Sequence, residues 1–383
     1  MGNRKKVLIV FGTRPETIKM APVWMALQAD REMFETRAVV TAQHRSMLDQ
    51  ALQDFAITPD YDLNVMRENQ DLFHISVEAL TGMKSVLEDY QPDCVLVQGD
   101  TTTTFVGALA AFYKRALIGH VEAGLRTYNK YSPYPEEINR RLTGCLADLH
   151  FAPTEKARQN LLEEGVKDDS IEVTGNTGID ALLWVLKNKP ADFSRALSAR
   201  AQEAVNGRFI LLTTHRRESF GAPLAETLRA VEEIAIRFPD TGIVFPVHPN
   251  PNVKQEAHRR LGSRPNVHLI EPLDYVNFSH LMNRAEIILT DSGGIQEEAP
   301  SLSKPVLVLR ETTERPEGIE SGVARLVGTN RALILEEVTR LLTDRQYRDS
   351  MTGRTNPYGD GQAAARIVRA LRLKLGVTMD SAS

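Results

Sequence analysis

Residues 120–141 read HVEAGLRTYNKYSPYPEEINRR and follow the apolar segment Ala116–Val121 without a break. A short apolar run bounded by polar residues fits a fully buried strand. The stretch behind it concentrates His120, Glu122, Glu136 and Glu137 with four basic residues, Arg126, Lys130, Arg140 and Arg141. A solvated surface loop can carry such charge, but it does not usually issue directly from a buried parallel strand. Open parallel sheets place their ligands beyond the carboxyl ends of their strands. The stretch therefore reads as a catalytic loop on an α/β fold.

The flanking sequence has the matching rhythm. Strand-like Val7–Phe11, Arg37–Thr41 and Cys94–Gln98 alternate with helical patterns running to Ala29, over Ser76–Tyr90 and over Thr103–Lys114. Helix Glu137–Ala147 and short strands His150–Ala152 and Ile171–Val173 follow. Such alternation predicts parallel βαβ units. Residues 188–207 are polar and helical in character, and then a second series begins. Its strands are Phe209–Thr213, Gly242–Pro246, Val267–Ile270, Glu286–Thr290 and Val306–Leu309. The helices between them are Leu224–Arg237, Val253–Leu261, Tyr275–Asn283 and Ile295–Ser301. A chain of 383 residues is too long for one ordinary core. The expected architecture is α/β, two Rossmann-like doubly wound domains (1–175 and 176–360) facing a central cleft. A final helix, about 361–377, would pack back on the first domain.

Hydrophobic residues make up 42% of the chain and charged residues 25%, as in a soluble globular protein. The net charge of −4 argues against general affinity for nucleic acid or an anionic membrane. An anionic ligand would need positive charge concentrated locally. The two cysteines, Cys94 and Cys145, lie in apolar surroundings and read as buried free thiols in a reducing compartment. The apolar run Val7–Phe11 is too short for the core of a signal peptide, and no stretch approaches the roughly 20 residues of a membrane span. A cytoplasmic protein is expected.

Four turns carry candidate chemistry. Gly12-Thr13-Arg14-Pro15-Glu16, with Lys19 one helical turn on, lacks G-x-G-x-x-G but places cations where helix N–H groups hold anions. Asp100 lies just past the strand Cys94–Gln98 and before four threonines, where a helix cap is the plain alternative to catalysis. His215, Arg216 and Arg217 follow the first strand of the second half and suit a phosphate or carboxylate. Asp291-Ser292-Gly293-Gly294 opens a strand-to-helix turn that a ligand can approach closely, with Glu298 read in the first helical turn and Arg315 further on. No P-loop, nucleophile elbow or zinc motif occurs, and His120-x-Glu122 alone is a poor metal site.

Taken together these residues resemble the non-hydrolysing UDP-N-acetylglucosamine 2-epimerases of bacteria. The resemblance rests on FGTRPETIKMAP (11–22), TAQHRSML (41–48), VQGDTTTT (97–104), HVEAGLRTYNKYSPYPEEINR (120–140), FAPTEKARQNLL (151–162) and VTGNTGIDAL (173–182). It continues through THRRESFG (214–221), PVHPNPNV (246–253) and LTDSGGIQEEAPSLSKPVLVLRETTERPEG (289–318). It implies a glycosyltransferase-B-like fold, a homodimer, and a place in making cell-surface polysaccharides. The implied reaction is reversible conversion of UDP-N-acetylglucosamine to UDP-N-acetylmannosamine, with neither NAD nor a metal required.

Residue by residue, the resemblance makes Asp100, Glu122 and Glu136 the catalytic carboxylates, supported by Arg140. Arg14, Lys19 and His215 fall near the diphosphate, with His215 counted among the catalytic residues. Ser292, Gly293, Gly294, Glu298 and Arg315 fall on the UDP, and Leu273 and Phe278 near the uracil. Glu137 and Arg141 are left as helix-surface residues. Gln43, His44, Arg216 and His248 fit the pattern of an additional site at which substrate activates the enzyme. Ser46 and Asn69 depart from the glutamine and arginine of some regulated members, and Ser219 stands where asparagine is commoner.

The implied chemistry explains the three acids. Loss of UDP makes the sugar oxocarbenium-like, a carboxylate then removes the hydrogen on carbon 2, and a glycal results. Inversion needs a second acid on the opposite face while UDP returns. A hydrolysing 2-epimerase that releases UDP and N-acetylmannosamine would use the same acids. A glycosyltransferase or a nucleotide-sugar sensor could share the architecture.

Overall fold

A computed structural model of the chain describes residues 4–42, 45–65, 71–194, 196–215 and 221–377. It divides into two compact units, the first formed by Met1–Ala181 with Gly359–Ser383 and the second by Leu182–Tyr358.

In the first unit, strands β1 (Lys5–Phe11), β2 (Phe34–Val40), β3 (Tyr61–Asp62), β4 (Cys94–Gln98), β5 (Leu117–Val121), β6 (Leu149–Ala152) and β7 (Ile171–Val173) form one parallel sheet. Their order is β3-β2-β1-β4-β5-β6-β7. The helices are α1 (Arg14–Ala29), α2 (Arg45–Asp54), α3 (Leu72–Tyr90), α4 (Thr102–Tyr113), α5 (Glu136–Leu146), α6 (Glu155–Glu163) and α7 (Thr177–Asn188), within which the division between units falls. The second unit adds α8 (Ala199–Asn206), β8 (Phe209–Thr213), α9 (Ala222–Arg237), β9 (Gly242–Pro246), α10 (Pro251–Leu261), β10 (Val267–Ile270), α11 (Tyr275–Arg284) and β11 (Ile287–Thr290). Then come α12 (Gly293–Glu298), β12 (Val306–Val308), α13 (Pro316–Glu320), β13 (Ala324–Leu326), α14 (Arg331–Thr343) and α15 (Arg345–Thr352). Its parallel sheet has the order β10-β9-β8-β11-β12-β13. The closing helix α16 (Ala363–Lys374) belongs to the first unit.

The burial explains why the strands read as unbroken apolar runs. Every residue of β4 and of β8 is buried, because helices cover both faces of a parallel sheet. In the second unit alternate residues divide between the faces. Ile210, Leu212, Ile243, Phe245, Ile287 and Leu289 join α9, α10 and α14, while Phe209, Leu211, Val244 and Ile288 join α8 and α11. In the first unit Leu8, Val10, Val95, Val97 and Ile118 pack against Met83, Val86 and Leu87 of α3 and the alanines of α4.

Both sheets wind outward in two directions from one central pair, β1/β4 in the first and β8/β11 in the second. The carboxyl ends at such a switch point splay their following loops apart and leave room for a ligand. Cys94 is buried as expected, but Cys145 is exposed, because it lies on the solvent side of α5 and not among the apolar neighbours its sequence suggested. Among the described residues no helix is long and apolar enough to cross a membrane.

Candidate active site

At the carboxyl edge of the first sheet, Gly12 follows β1 where a Cβ would stand 2.1 Å from the Thr41 hydroxyl oxygen and 2.7 Å from that of Thr103. No side chain fits there. Thr13 caps α1, so half-buried Arg14 is the first helical residue and Lys19 lies one turn further on. Lys19 forms an ion pair with Glu122, and both side chains are largely buried.

Glu122 is the first residue beyond β5 and has φ of 64°. That left-handed backbone costs a non-glycine residue about 1–3 kcal/mol and persists only where neighbours fix it. Here the Gly99 N–H donates to the Val121 carbonyl at 2.9 Å, and the Ala123 N–H donates to that of Phe151 at 3.0 Å. Gly124 follows with φ of 88°, and a Cβ on it would fall 2.2 Å from the Ala157 carbonyl oxygen.

Capping does not account for Asp100. Thr101 is the cap of α4, its hydroxyl accepting the Thr104 N–H at 3.2 Å. The Asp100 carboxylate is held instead by Arg140, Nη2 to Oδ2 2.6 Å, and the Asn139 amide donates to the Asp100 carbonyl at 2.9 Å. The start of α5 is thereby tied to the turn after β4. Glu136 opens that helix, and one of its carboxylate oxygens is buried with no hydrogen-bond partner.

Glu137 departs from the helix-surface expectation and is 1% exposed. Its oxygens accept the N–H groups of Thr127 at 3.0 Å and Tyr128 at 3.1 Å, and Arg140 Nη1 lies 3.3 Å away. The loop folds back over the first turn of α5, which a helical-wheel reading has no means to foresee. Arg141 is exposed, as expected, with Glu164 at 3.5 Å.

Glu16 was not singled out in the sequence. It is 2% exposed and accepts from the Gly12 N–H at 3.0 Å, the Thr101 hydroxyl at 2.7 Å and the Thr104 hydroxyl at 3.2 Å. It joins the loops after β1 and β4. Burial raises its pKa, against the lowering effect of those hydrogen bonds. Its position three residues past a threonine cap was the available signal.

In the second unit, His215 follows β8 and Asp291 follows β11, the two central strands. Asp291 is 0% exposed. Its Oδ1 stands 2.9 Å from His215 Nδ1, and it accepts the His215 N–H and the Thr214 hydroxyl. The rings of His215 and His248 are 6.4 Å apart. Ser292 precedes α12 and its hydroxyl makes no cap bond. A Cβ on Gly293 would meet the Arg315 guanidinium at 3.0 Å, whereas one on Gly294 would face open space. Arg315 pairs with Glu297 at 2.7 Å and Glu314 at 2.9 Å. Glu298 is the last residue of the six-residue α12, so its assignment to the first helical turn is corrected: the helix starts at Gly293, two residues earlier than expected, which puts Glu298 in its second turn. Leu273 and Phe278 are half-buried against the apolar cluster that contains Leu281 and Ile295.

The first unit thus brings Asp100 to Arg140 and Glu122 to Lys19, and the second brings His215 to the turn that holds Ser292. Gln43, His44, Asn69, Arg216 and Ser219 lie outside the described residues. Among the described residues no group of three or more His, Cys, Asp or Glu side chains is arranged to hold a metal ion.

The family model for UDP-N-acetylglucosamine 2-epimerase matches residues 25–372. The UDP-N-acetylglucosamine 2-epimerase of Escherichia coli K12 is 56% identical over 370 residues, covering 96% of this chain and 98% of its own. A crystal structure of the UDP-GlcNAc 2-epimerase of Neisseria meningitidis bound to UDP-GlcNAc superposes with a TM-score of 0.84 at 49% identity, covering 96% of this chain and 100% of that one. That of a putative UDP-N-acetylglucosamine 2-epimerase from Listeria monocytogenes superposes with a TM-score of 0.92 at 47% identity, covering 98% of both chains. With matches of this length and identity, the chain belongs to the UDP-N-acetylglucosamine 2-epimerase family.

Proposed function

We propose that the protein interconverts UDP-N-acetylglucosamine and UDP-N-acetylmannosamine without net hydrolysis, by elimination and re-addition of UDP through a glycal. The observation that carries this reading is the set of three acids at one sheet edge in three different settings. Asp100 is bound to Arg140, Glu122 is bound to Lys19, and Glu136 keeps a buried oxygen unpartnered. Inverting carbon 2 requires a base on one face and an acid on the other, and three carboxyl groups at one edge can supply both.

In this mechanism the C1–O bond to UDP breaks first and the electron pair leaves with the diphosphate. A carboxylate takes the proton from carbon 2 and the C1–C2 double bond forms. A second acid delivers a proton to the other face of carbon 2 as UDP re-forms the bond at carbon 1. Arg14, Lys19 and His215 would stabilise the diphosphate. Ser292, Gly293, Gly294, Glu298 and Arg315 would hold the nucleotide, with Leu273 and Phe278 at the uracil. A homodimer follows from the resemblance, and exposed Phe73, Val77, Phe112 and Tyr113 on α3 and α4 offer apolar surface for it.

Incubation with UDP-N-acetylglucosamine alone in deuterated water tests the reading. Deuterium at carbon 2 of the recovered nucleotide sugar, in both epimers, is the expected result. Stoichiometric free UDP would show a hydrolysing enzyme instead, and an active preparation with no deuterium at carbon 2 would eliminate the mechanism.

A further inference from the structure

His215 and Asp291 come from the loops after the two central strands of the second sheet, and the carboxylate takes one specific nitrogen, with Nδ1 2.9 Å from Asp291 Oδ1. Asp291 has no access to solvent, while the His215 side chain is 45% exposed. Its backbone is pinned by the same carboxylate, since the His215 N–H donates to Oδ2 at 3.0 Å. The hydroxyl of Thr214 donates to that oxygen as well, at 3.0 Å. The ring is therefore fixed at its base and along its Nδ1 edge, which leaves Nε2 as the nitrogen a ligand can meet.

The neighbours define the charge at this point. Among the described residues, the titratable group facing His215 besides Asp291 is His248, its ring centroid 6.4 Å away. Burial, and after it the nearby His215, lower the pKa of His248, against the raising effect of Asp291. Diphosphate oxygens only accept hydrogen bonds, so a ring that binds them through Nε2 must carry a proton there. A ring whose Nδ1 proton already faces a carboxylate must then be protonated on both nitrogens.

We infer that Asp291 is a positioning residue for His215: it holds the Nδ1 proton and balances the second one, so that Nε2–H is presented to the diphosphate of the substrate. The inference rests on the placement of His215 at the nucleotide, and it adds the residue that gives the imidazole its tautomer and direction. Asp291 touches no substrate itself. It acts through His215, in the way a buried carboxylate orients a working histidine elsewhere.

The test is nitrogen-detected NMR of the full-length protein labelled at histidine, with His215→Gln used to assign the signal, without and with UDP. Free His215 should carry its proton on Nδ1, and addition of UDP should protonate both nitrogens. Asp291→Asn should lose the UDP-dependent doubly protonated state and lower kcat by about 10²–10⁴-fold, with a much smaller change in KM. The double variant Asp291→Asn/His215→Gln should be no slower than His215→Gln alone, because a residue acting only through His215 has nothing further to lose.

Losses that add in the double variant would overturn the role of Asp291 while leaving His215 at the nucleotide. A wild-type His215 signal that ignores UDP would overturn its placement, and the inference with it. A doubly protonated ring in protein that exchanges no deuterium into the sugar would support the pair and sink the epimerase mechanism separately. Should Asp291→Asn fail to fold, the wild-type tautomer still decides: a free ring protonated only on Nε2 is incompatible with the pair.

Discussion

Single residues at the edge of the first sheet divide into those that wait for substrate and those that hold the others in place. Asp100→Asn, Glu122→Gln and Glu136→Gln each keep the size of the side chain and remove its proton chemistry. Each should slow epimerisation by about 10²–10⁴-fold in a coupled or NMR assay, and near-normal turnover in any one removes that residue from the catalytic set. Glu16 belongs to the second kind. Its oxygens accept one backbone N–H and two hydroxyls. In Glu16→Gln the amide oxygen can face Gly12 while the NH₂ group donates to a threonine hydroxyl, so the network survives with exchanged polarity. In Glu16→Ala the Gly12 N–H is left buried and unpaired, at a cost of about 2–4 kcal/mol once the lost hydroxyl bonds are included. Urea unfolding should therefore rank wild type and Gln close together and Ala well below; an Ala variant as stable as wild type would show that the network contributes nothing. Asp100, Glu122 and Glu136 were legible because acids just past a buried strand, or at the start of the helix after it, are conspicuous. Glu16 and Asp291 were not, since their importance lies in contacts 85 and 76 residues away along the chain.

At the scale of elements, strands were readable wherever burial on both faces made them continuous, as in β4 and β8, whose predicted limits match those observed. The expectations omitted α2, α6, α7, α13, α14, α15, the two-residue β3 and the three-residue β13. Of these, α2, α6, α14 and α15 have mixed, charged sequences, and β3 and β13 are defined by their pairing with β2 and β12 more than by their own pattern. Glu137 marks the same limit: only tertiary folding of the loop over α5 turns a surface position into a buried acceptor. The pairing of β5 with β6 has a consequence for acid stability. It sets His120 directly opposite His150, both of them buried. His120 Nε2 lies 2.7 Å from the Gly99 carbonyl, so the ring also braces the turn before Asp100. Burial lowers the pKa of His120 to about 3 and that of His150 to about 4. Both rings are neutral in the fold, whereas in the unfolded chain each takes up a proton near pH 6.5. The unfolded state thus binds more protons below pH 6.5, and stability falls as the pH drops from there through the folded values. At pH 5 each ring should cost the folded state about 2 kcal/mol relative to pH 7. Urea midpoints at the two pH values measure the sum, and His150→Gln should remove roughly half of that difference. An unchanged acid slope in the variant would exclude His150 as a contributor.

The whole molecule is two sheets built on one plan, each with candidate residues in the loops that follow the pair of strands at its switch point. That doubling was legible as two series of alternating strands and helices, but the contacts of the closing helix were not, because they join residues far apart in sequence. The first unit is discontinuous: the chain completes the second unit before α16 returns to pack on α1. Asp180 accepts the N–H groups of Ala363 and Ala364 at 3.2 and 2.9 Å and so caps the start of α16. Arg366 donates to the Thr174 carbonyl at 2.9 Å, and Arg372 pairs at 2.7 Å with Asp30, which follows α1 as its C-cap. Ile367 and Leu371 are fully buried between these anchors. Leu371→Ala removes buried methyl groups where the surrounding helices can close up only partly, so it should cost about 2–5 kcal/mol. That loss belongs to the first unit alone, since all these contacts lie within it. Hydrogen exchange followed by mass spectrometry can read the two units separately. Amides of β1, β4 and β5 should exchange faster in the variant by the factor that this free energy implies, while those of β8, β9 and β11 keep their wild-type rates. Equal acceleration in both sheets would mean that the two units open as one cooperative block. Acceleration in neither would mean that α16 contributes little to the stability of the sheet that carries the three acids.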